Sequence, residues 1–338
     1  MAAAFVFTNA HAQEVVVKIG HVAPLSGGQA HLGKDNEAAA RMAVEDLNKK
    51  GMVIGGKKVK FELLSEDDAA DPKQGAAVAT KLADAKVNGV VGHLNSGTTI
   101  PASKIYHDAN IPQISPAATN PKYTQQGFKT AFRVVANDAQ LGARLGDYAV
   151  KTLNGKKVAV IDDQTAYGQG VADEFEKAVK KSGGQVVTRQ KTSDKVVDFN
   201  AILTTVKGQS PDVVFYGGMD AQAGPMLRQM KQLGINAKFM GGDGICSSEL
   251  PKLAGDAMAD GQVVCAEAGG VLGEQKKALD DFRAEFKKRT NLDVQIYAPY
   301  VYDAVMTMAA AMQKANSVEP KKYLPALASI NYKGVTGP

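Results

Sequence analysis

From Val15 onward, short β-branched runs alternate with stretches of helical periodicity. Val15 to Val22 reads as a strand, and Lys34 to Lys49 as a helix with Ala39, Met42, Ala43 and Leu47 on one face. Val59 to Leu64 is a second strand. Pro72 to Lys86 is a second helix, with Pro72 in its first turn, where a missing N–H costs nothing. Gly89 to Leu94 forms a third strand that enters the stretch Ser96 to Asp108. Later, Lys157 to Ile161 is a buried strand, and Val171, Phe175 and Val179 mark the helix after it. Asp212 to Gly217 is another strand, followed by a helix bearing Leu227, Met230 and Leu233, while Leu279, Phe282 and Phe286 give one more helical stripe. This β-α-β alternation predicts an α/β protein whose parallel sheets are covered on both faces. The series is too long for one sheet of ordinary width. A division near Val134 to Asn137 gives two doubly wound lobes. Open parallel sheets bind ligands at the carboxyl ends of their strands, so informative residues are sought just after strands.

Composition adds little but excludes much. Of 338 residues 44% are hydrophobic and 22% charged, ordinary for a globular protein, and 40 Lys and Arg against 35 Asp and Glu leave a net charge of +5. The densest basic clusters, Lys57-Lys58-Val59-Lys60 and Lys287-Lys288-Arg289, carry no interleaved aromatics and read as solvated faces, which argues against nucleic-acid binding. At the start, Ala2 to Phe7 is apolar and Ala10-His11-Ala12 precedes Gln13-Glu14, like the tail of a secretory signal peptide over residues 1–13, although a basic segment before it is missing. The most apolar later stretch, Tyr297 to Met312, is shorter than the ~20 residues a span requires and carries Asp303 in its middle. An exported, soluble protein is expected. Cys246 and Cys265 are the two cysteines; in an oxidising compartment they are candidates for a disulfide, two free thiols being the alternative.

Several catalytic readings fail. Leu25-Ser26-Gly27-Gly28-Gln29 spells the signature of transporter ATPases, but no phosphate loop accompanies it, so it reads as a flexible loop. No G-x-G-x-x-G opens a helix after a strand. Ser96 is not flanked as a nucleophile elbow. The five histidines show no metal-ligand spacing, and His93, inside an apolar strand, reads as a satisfied core residue. Two post-strand segments stand out instead. Gly92-His93-Leu94-Asn95-Ser96-Gly97-Thr98-Thr99 ends a strand and opens a helix, where hydroxyls and free N–H groups suit a carboxylate. Ile114-Ser115-Pro116-Ala117-Ala118-Thr119-Asn120-Pro121 offers another hydroxyl and backbone carbonyls. Each alone is equally readable as ordinary capping.

Together these segments resemble the leucine/isoleucine/valine-binding protein family of periplasmic receptors, from about Val17 to the end. The resemblance rests on them and on Asp67-Asp68-Ala69-Ala70-Asp71-Pro72-Lys73-Gln74, Pro101-Ala102-Ser103, Tyr167-Gly168-Gln169-Gly170, Tyr216-Gly217-Gly218 and Phe239-Met240-Gly241-Gly242. It implies a type I periplasmic binding protein: two lobes joined by three crossovers, with 14–134 and 266–331 in the N-terminal lobe and 135–265 and 332–338 in the C-terminal one. It implies that Ser96 and Thr119 hold a ligand α-carboxylate, that the Ala117 carbonyl accepts from the α-ammonium, and that Asp243 supplies the opposing charge. Tyr167 would close over the ligand, and Leu32, Asn95, Met219 and Tyr297 would surround its side chain. A zwitterion sealed from water needs both charges answered.

The resemblance further implies a monomeric, cofactor-free, non-enzymatic receptor in the periplasm. It would capture an amino acid, foremost a branched-chain one, by lobe closure and deliver it to an ABC importer permease with its ATPase subunits. A sensory receptor domain, or a receptor for another amino acid or a small amide, is the alternative. The chain also departs from the family. Asp243 stands where Glu is frequent, Leu32 and Met219 where aromatics are, and Ala70 and Asn95 where an early cysteine pair lies. Gly334-Val335-Thr336-Gly337-Pro338 ends the chain where relatives continue for a few dozen residues, so the C-terminal lobe is expected to be truncated.

Overall fold

The computed structural model describes residues 14–338, so the expected signal-peptide tail at 1–13 lies outside the described residues. Six strands form the first sheet: β1 (Val15–Ala23), β2 (Val53–Ile54), β3 (Lys57–Asp67), β4 (Gly89–Gly92), β5 (Gln113–Ser115) and β6 (Ala131–Arg133), in the order β2-β3-β1-β4-β5-β6. Five form the second: β7 (Lys157–Asp162), β8 (Gln185–Lys191), β9 (Val213–Gly217), β10 (Lys238–Gly241) and β11 (Val263–Cys265), in the order β11-β10-β9-β7-β8. Every pairing is parallel except the short β2–β3 hairpin.

Helices cover both faces of each sheet, as near-continuous apolar strands demand. On the first sheet, α1 (Ala30–Lys50) lies on one side, and α2 (Pro72–Asp84), α3 (Ser96–Asp108) and the short α4 (Lys122–Gln125) follow β3 to β5. On the second, α5 (Asp138–Lys151) and α6 (Ala166–Lys181) pack with Val158, Val160 and Phe215, while α7 (Asn200–Gly208), α8 (Asp220–Gln232) and α9 (Leu250–Ala254) cover the other face around Ala159, Ile161 and Phe239. The chain then returns to the first lobe, where α10 (Glu274–Thr290), α11 (Ala298–Lys314) and α12 (Pro320–Ala328) join α1 over a core of Val17, Ile19, Phe61, Phe286, Val305 and Met308.

Local chemistry sets the element ends. Asp71 caps α2, accepting at 2.9 Å from Lys73 N and Gln74 N with Pro72 at the next position, and Asn137 with Gln140 forms a reciprocal capping box on α5. The strand expected at Val59 to Leu64 runs on to Asp67, because the polar Ser65, Glu66 and Asp67 still complete the ladder opposite His21, Val22 and Ala23. The helix expected to reach Lys86 stops at Asp84, with Lys86 at a left-handed φ of 53°. The strand expected to reach Leu94 stops at Gly92, whose φ of 139° only glycine adopts readily; a Cβ there would sit 2.5 Å from Val22 O. His93 is a core residue: Nδ1 lies 3.0 Å from Asp68 Oδ2 and Nε2 3.0 Å from Tyr106 Oη.

The chain passes between the sheets at 134–137 and at 266–273, and Ala136 N donates to Ala268 O across these two passages at 2.8 Å. Residues 332–338, expected with the C-terminal lobe, lie instead on the N-terminal one. Val335 packs against that lobe's core, and buried Asp303 of α11 accepts from Val335 N at 2.9 Å, Thr336 N at 2.8 Å and Thr336 Oγ1 at 2.5 Å. A buried carboxylate needs donors, and this segment supplies three. Among the described residues no helix is long and apolar enough to cross a membrane.

Cys246 and Cys265 are bonded, with Cα atoms 5.7 Å apart and a sequence separation of 19. The bond ties the end of β11 to the turn that follows β10. Replacing both cysteines with serine is expected to cost about 3 kcal/mol, the closure entropy of a loop of that length; denaturant unfolding with and without reductant would measure it, and an unchanged midpoint would refute it.

Candidate functional site

The residues that the resemblance assigned to a ligand sit at the carboxyl ends of strands from both sheets, where the two lobes meet. In the first lobe, Leu32 follows β1, Asn95 and Ser96 follow β4, and Ala117 and Thr119 follow β5. In the second, Tyr167 follows β7, Met219 follows β9 and Asp243 follows β10. Tyr297 comes from the return to the first lobe, immediately before α11. Leu32, Ala117, Tyr167, Met219 and Tyr297 belong to one buried apolar cluster that spans both lobes, so the lobes are closed on each other. Asn120 Nδ2 also crosses the gap, donating to Ala166 O at 2.6 Å.

Asp243 is fully buried and is answered by two phenols: Tyr167 Oη donates to Oδ1 at 2.9 Å and Tyr297 Oη to Oδ2 at 2.8 Å. Tyr167 Oη accepts in turn from Gly244 N at 2.9 Å. Burial raises the Asp243 carboxyl to about 6, against the pull of Tyr297 and Tyr167. Burial, and then the nearby Asp243 charge, lift both phenols well above their usual range, so they remain donors. Gly244 is required by close approach: a Cβ there would stand 2.7 Å from Met219 Sδ and 2.9 Å from a Tyr167 ring carbon.

The facing wall is rich in uncommitted hydrogen-bonding groups. Buried Thr119 Oγ1 makes no hydrogen bond of good geometry, although it lies close enough to Asp138 to pull on that carboxyl, and the backbone N–H of Thr119 and the carbonyl of Ala117 take part in no backbone hydrogen bond among the described residues. Ser96, the first residue of α3, accepts from Asn120 N at 3.2 Å and keeps its own hydroxyl proton to give. Ser115 Oγ organises this loop, donating to His93 O at 2.9 Å and accepting from Ala118 N at 2.9 Å. An anion placed here meets hydroxyls and a helix N-terminus, and a cation placed opposite meets the Asp243 carboxylate. Asn95 Nδ2 donates to Gln29 Oε1 at 2.7 Å while its Oδ1 is unpartnered. Asn95, Tyr167 and Met219 open onto a cavity of about 500 Å³ at the mouth of the gap. A larger hollow, about 880 Å³, lies among 132–136, 268–272 and 330–338 and shares none of these residues.

Sequence reasoning missed Asp138, the first residue of α5. It is buried beside Thr119, its N–H donating to Thr119 O at 2.9 Å, and neither carboxyl oxygen has a hydrogen bond of good geometry. Burial pushes it up to about 8, against the pull of the Thr119 hydroxyl and with Asp243 adding repulsion. A helix-opening aspartate directly after a lobe passage was the available signal, and it also reads as a simple cap.

The family model described as "Periplasmic binding protein" matches residues 16–338. The chain belongs to the periplasmic binding protein family. Among curated members, it is 37% identical over 327 residues, 97% of this chain and 85% of the relative, to "Leu/Ile/Val-binding protein homolog 1" of Brucella abortus. It is 35% identical over 321 residues, 95% and 84% of the two chains, to the "leucine-, isoleucine-, valine-, threonine-, and alanine-binding protein" of Pseudomonas aeruginosa. Among solved periplasmic binding proteins, the branched-chain amino acid transporter substrate-binding protein LivJ of Streptococcus pneumoniae, in complex with isoleucine, superposes with a TM-score of 0.86 at 28% identity, covering 96% of this chain and 91% of that one. The leucine-binding protein LivK of Thermotoga maritima gives 0.83 at 26%, covering 95% and 90%.

In Tyr297→Phe the Asp243 carboxyl loses one of its two phenol donors. In the closed form its apparent pKa is expected to rise above about 6 by roughly one unit, read by carboxyl-carbon NMR titration of unliganded protein whose lobes are cross-linked shut. An unmoved titration would show that Tyr297 does not hold the charge.

Proposed function

We propose that this protein captures an amino acid, foremost a branched-chain one, between its two lobes and delivers it to an ABC importer permease, without chemical conversion. The observation that carries this reading is the opposition across one gap of a buried carboxylate, Asp243, and a wall of free donors, Ser96 and Thr119. A free amino acid bears both complementary charges one carbon apart. Ser96 and Thr119 bind its carboxylate, Ala117 O and Asp243 its ammonium, and Leu32, Met219 and Tyr297 enclose its side chain. The names of the relatives and the isoleucine bound to LivJ support the aliphatic choice. Because the two sets of contacts lie on different lobes, the ligand favours closure by its differential affinity for the closed form. Membership of the family supports a periplasmic location, where a receptor reaches ligand and permease alike.

A second reading, a polar amino acid or small amide, draws on the unpartnered Asn95 Oδ1 at the wall of the mouth cavity. The Pseudomonas relative is named for threonine among its ligands.

Calorimetric titration of ligand-stripped protein with leucine, isoleucine, valine, threonine and asparagine separates the two readings. Tight one-to-one binding of the aliphatic three supports the first, preference for threonine or asparagine the second, and no binding across the panel overturns both. In Asp243→Ala, affinity for the preferred ligand should fall about tenfold or more, an ammonium being left unpaired. The ligand ammonium stabilises ionised Asp243, so the carboxyl titrates lower in the complex than in the free protein, whose value is about 6 where the lobes are closed. Affinity is therefore full above that pH and declines below it, by up to about tenfold per unit; a flat acidic limb would remove Asp243 from the ammonium site.

A further inference from the structure

Beyond the ligand contacts, one charged pair joins the lobes. His31, the second residue of α1, places Nε2 2.7 Å from Oδ2 of Asp220, the first residue of α8. The carboxylate is fully buried and the imidazole side chain is 23% exposed, so the pair lies at the edge of the lobe contact with a path to water. Ser247, next to the disulfide, also donates to Oδ2, while Oδ1 has no partner. The two helix starts are in van der Waals reach: a Cβ on Gly28 would stand 3.5 Å from Ala221 Cβ.

We propose that His31 and Asp220 are an interlobe latch, a pair of positioning residues that engages only in the closed form and lets the size of the bound side chain decide whether closure completes. The inference rests on ligand capture by lobe closure. Its further support is adjacency. Leu32 follows His31 and Met219 precedes Asp220, and both neighbours are buried in the cluster that spans the ligand gap. A side chain that wedges Leu32 from Met219 therefore also draws the latch apart. One that fits lets the 2.7 Å contact form. The selectivity that larger aromatic residues would impose by contact is here shared with a polar contact one residue away.

The latch is also sensitive to pH. Burial alone would pull the His31 imidazole down, but the Asp220 carboxylate against it, with Glu249 and Asp35 nearby, carries it above its usual value. In an open form His31 loses Asp220 and remains at the N-terminus of α1, an end that disfavours a cation. The closed form therefore holds the proton more tightly. Its stabilisation is fully present below the ordinary histidine value near 6.5 and is lost as pH rises through the raised closed-form value. This trend is opposite in sign to that of Asp243, so the two limbs are separable.

The test measures calorimetric affinity for leucine and phenylalanine across about pH 5.5 to 9 in the wild type, His31→Gln, His31→Ala and Asp220→Asn. Energy transfer between dyes on the two lobes reports closure in the unliganded protein. In the wild type, leucine affinity and the closed fraction should both fall on the alkaline side. His31→Gln keeps a neutral donor and should flatten that limb while leaving the acidic limb in place. His31→Ala should weaken leucine about three- to tenfold near pH 6 and narrow its advantage over phenylalanine, the range of a typical coupling between sites. Should Asp220→Asn misfold, the two His31 variants decide. Alkaline limbs identical in wild type and His31→Gln, or a leucine advantage untouched in His31→Ala, would overturn the latch. Failure of leucine to bind the wild type would instead defeat the ligand reading, and the dye signal of the unliganded variants would still judge the latch.

Discussion

A carboxylate held away from water dominates the design of the gap. Asp243 is buried just after β10 and has no cationic partner among the described residues; two phenols, one from each lobe, are what it receives. Two neutral donors offset part of the desolvation cost, and the carboxyl still rises to about 6. The site is thus left short of one positive charge, which in the proposed reading the ligand's ammonium supplies. Because Tyr297 belongs to the first lobe and Tyr167 to the second, the same carboxylate that calls for the ligand also draws the lobes together.

The two sheets make that arrangement inexpensive to build. Parallel strands deliver their carboxyl ends to one edge, and each lobe turns that edge toward the other. Serine and threonine at the start of α3 and after β5 give one wall its donors; glycines at 92 and 244 let backbone approach where a Cβ would collide. The helices behind are ordinary apolar covers, and the chain passes between the lobes only at 134–137 and 266–273 among the described residues, which suits a closure of two bodies about those passages.

Neighbouring positions in sequence thereby serve different tasks in the same gap. Leu32 and Met219 lie in the buried cluster that spans the lobes, while His31 and Asp220 meet at the edge of the lobe contact. The Thr119 hydroxyl is buried without a hydrogen bond of good geometry, while its carbonyl receives the N–H of Asp138, which opens the first helix of the other lobe. The proposed ligand contacts and the lobe contacts are thus adjacent along the chain, separated by single peptide units.

Much of this was legible from residues alone. Alternation of period fixed the strand and helix types, because a buried parallel strand and an amphipathic helix place apolar side chains at different spacings. Post-strand hydroxyls marked Ser96 and Thr119, which the structure brings to the lobe contact. Polar β8, Gln185–Lys191, escaped notice because an edge strand half exposed to water needs no apolar run, and residues 332–338 were assigned to the wrong lobe because their placement rests on donors to Asp303 rather than on any local pattern. Short-range chemistry along the chain determined the elements, their caps and the residues fit to hold a zwitterion. Only the tertiary structure decided which of them face one another. The pairing of Asp243 with two tyrosines, of His31 with Asp220 and of Asp138 with Thr119 joins groups from 19 to 189 positions apart, and no local preference encodes a contact whose energy appears only when both lobes are in place.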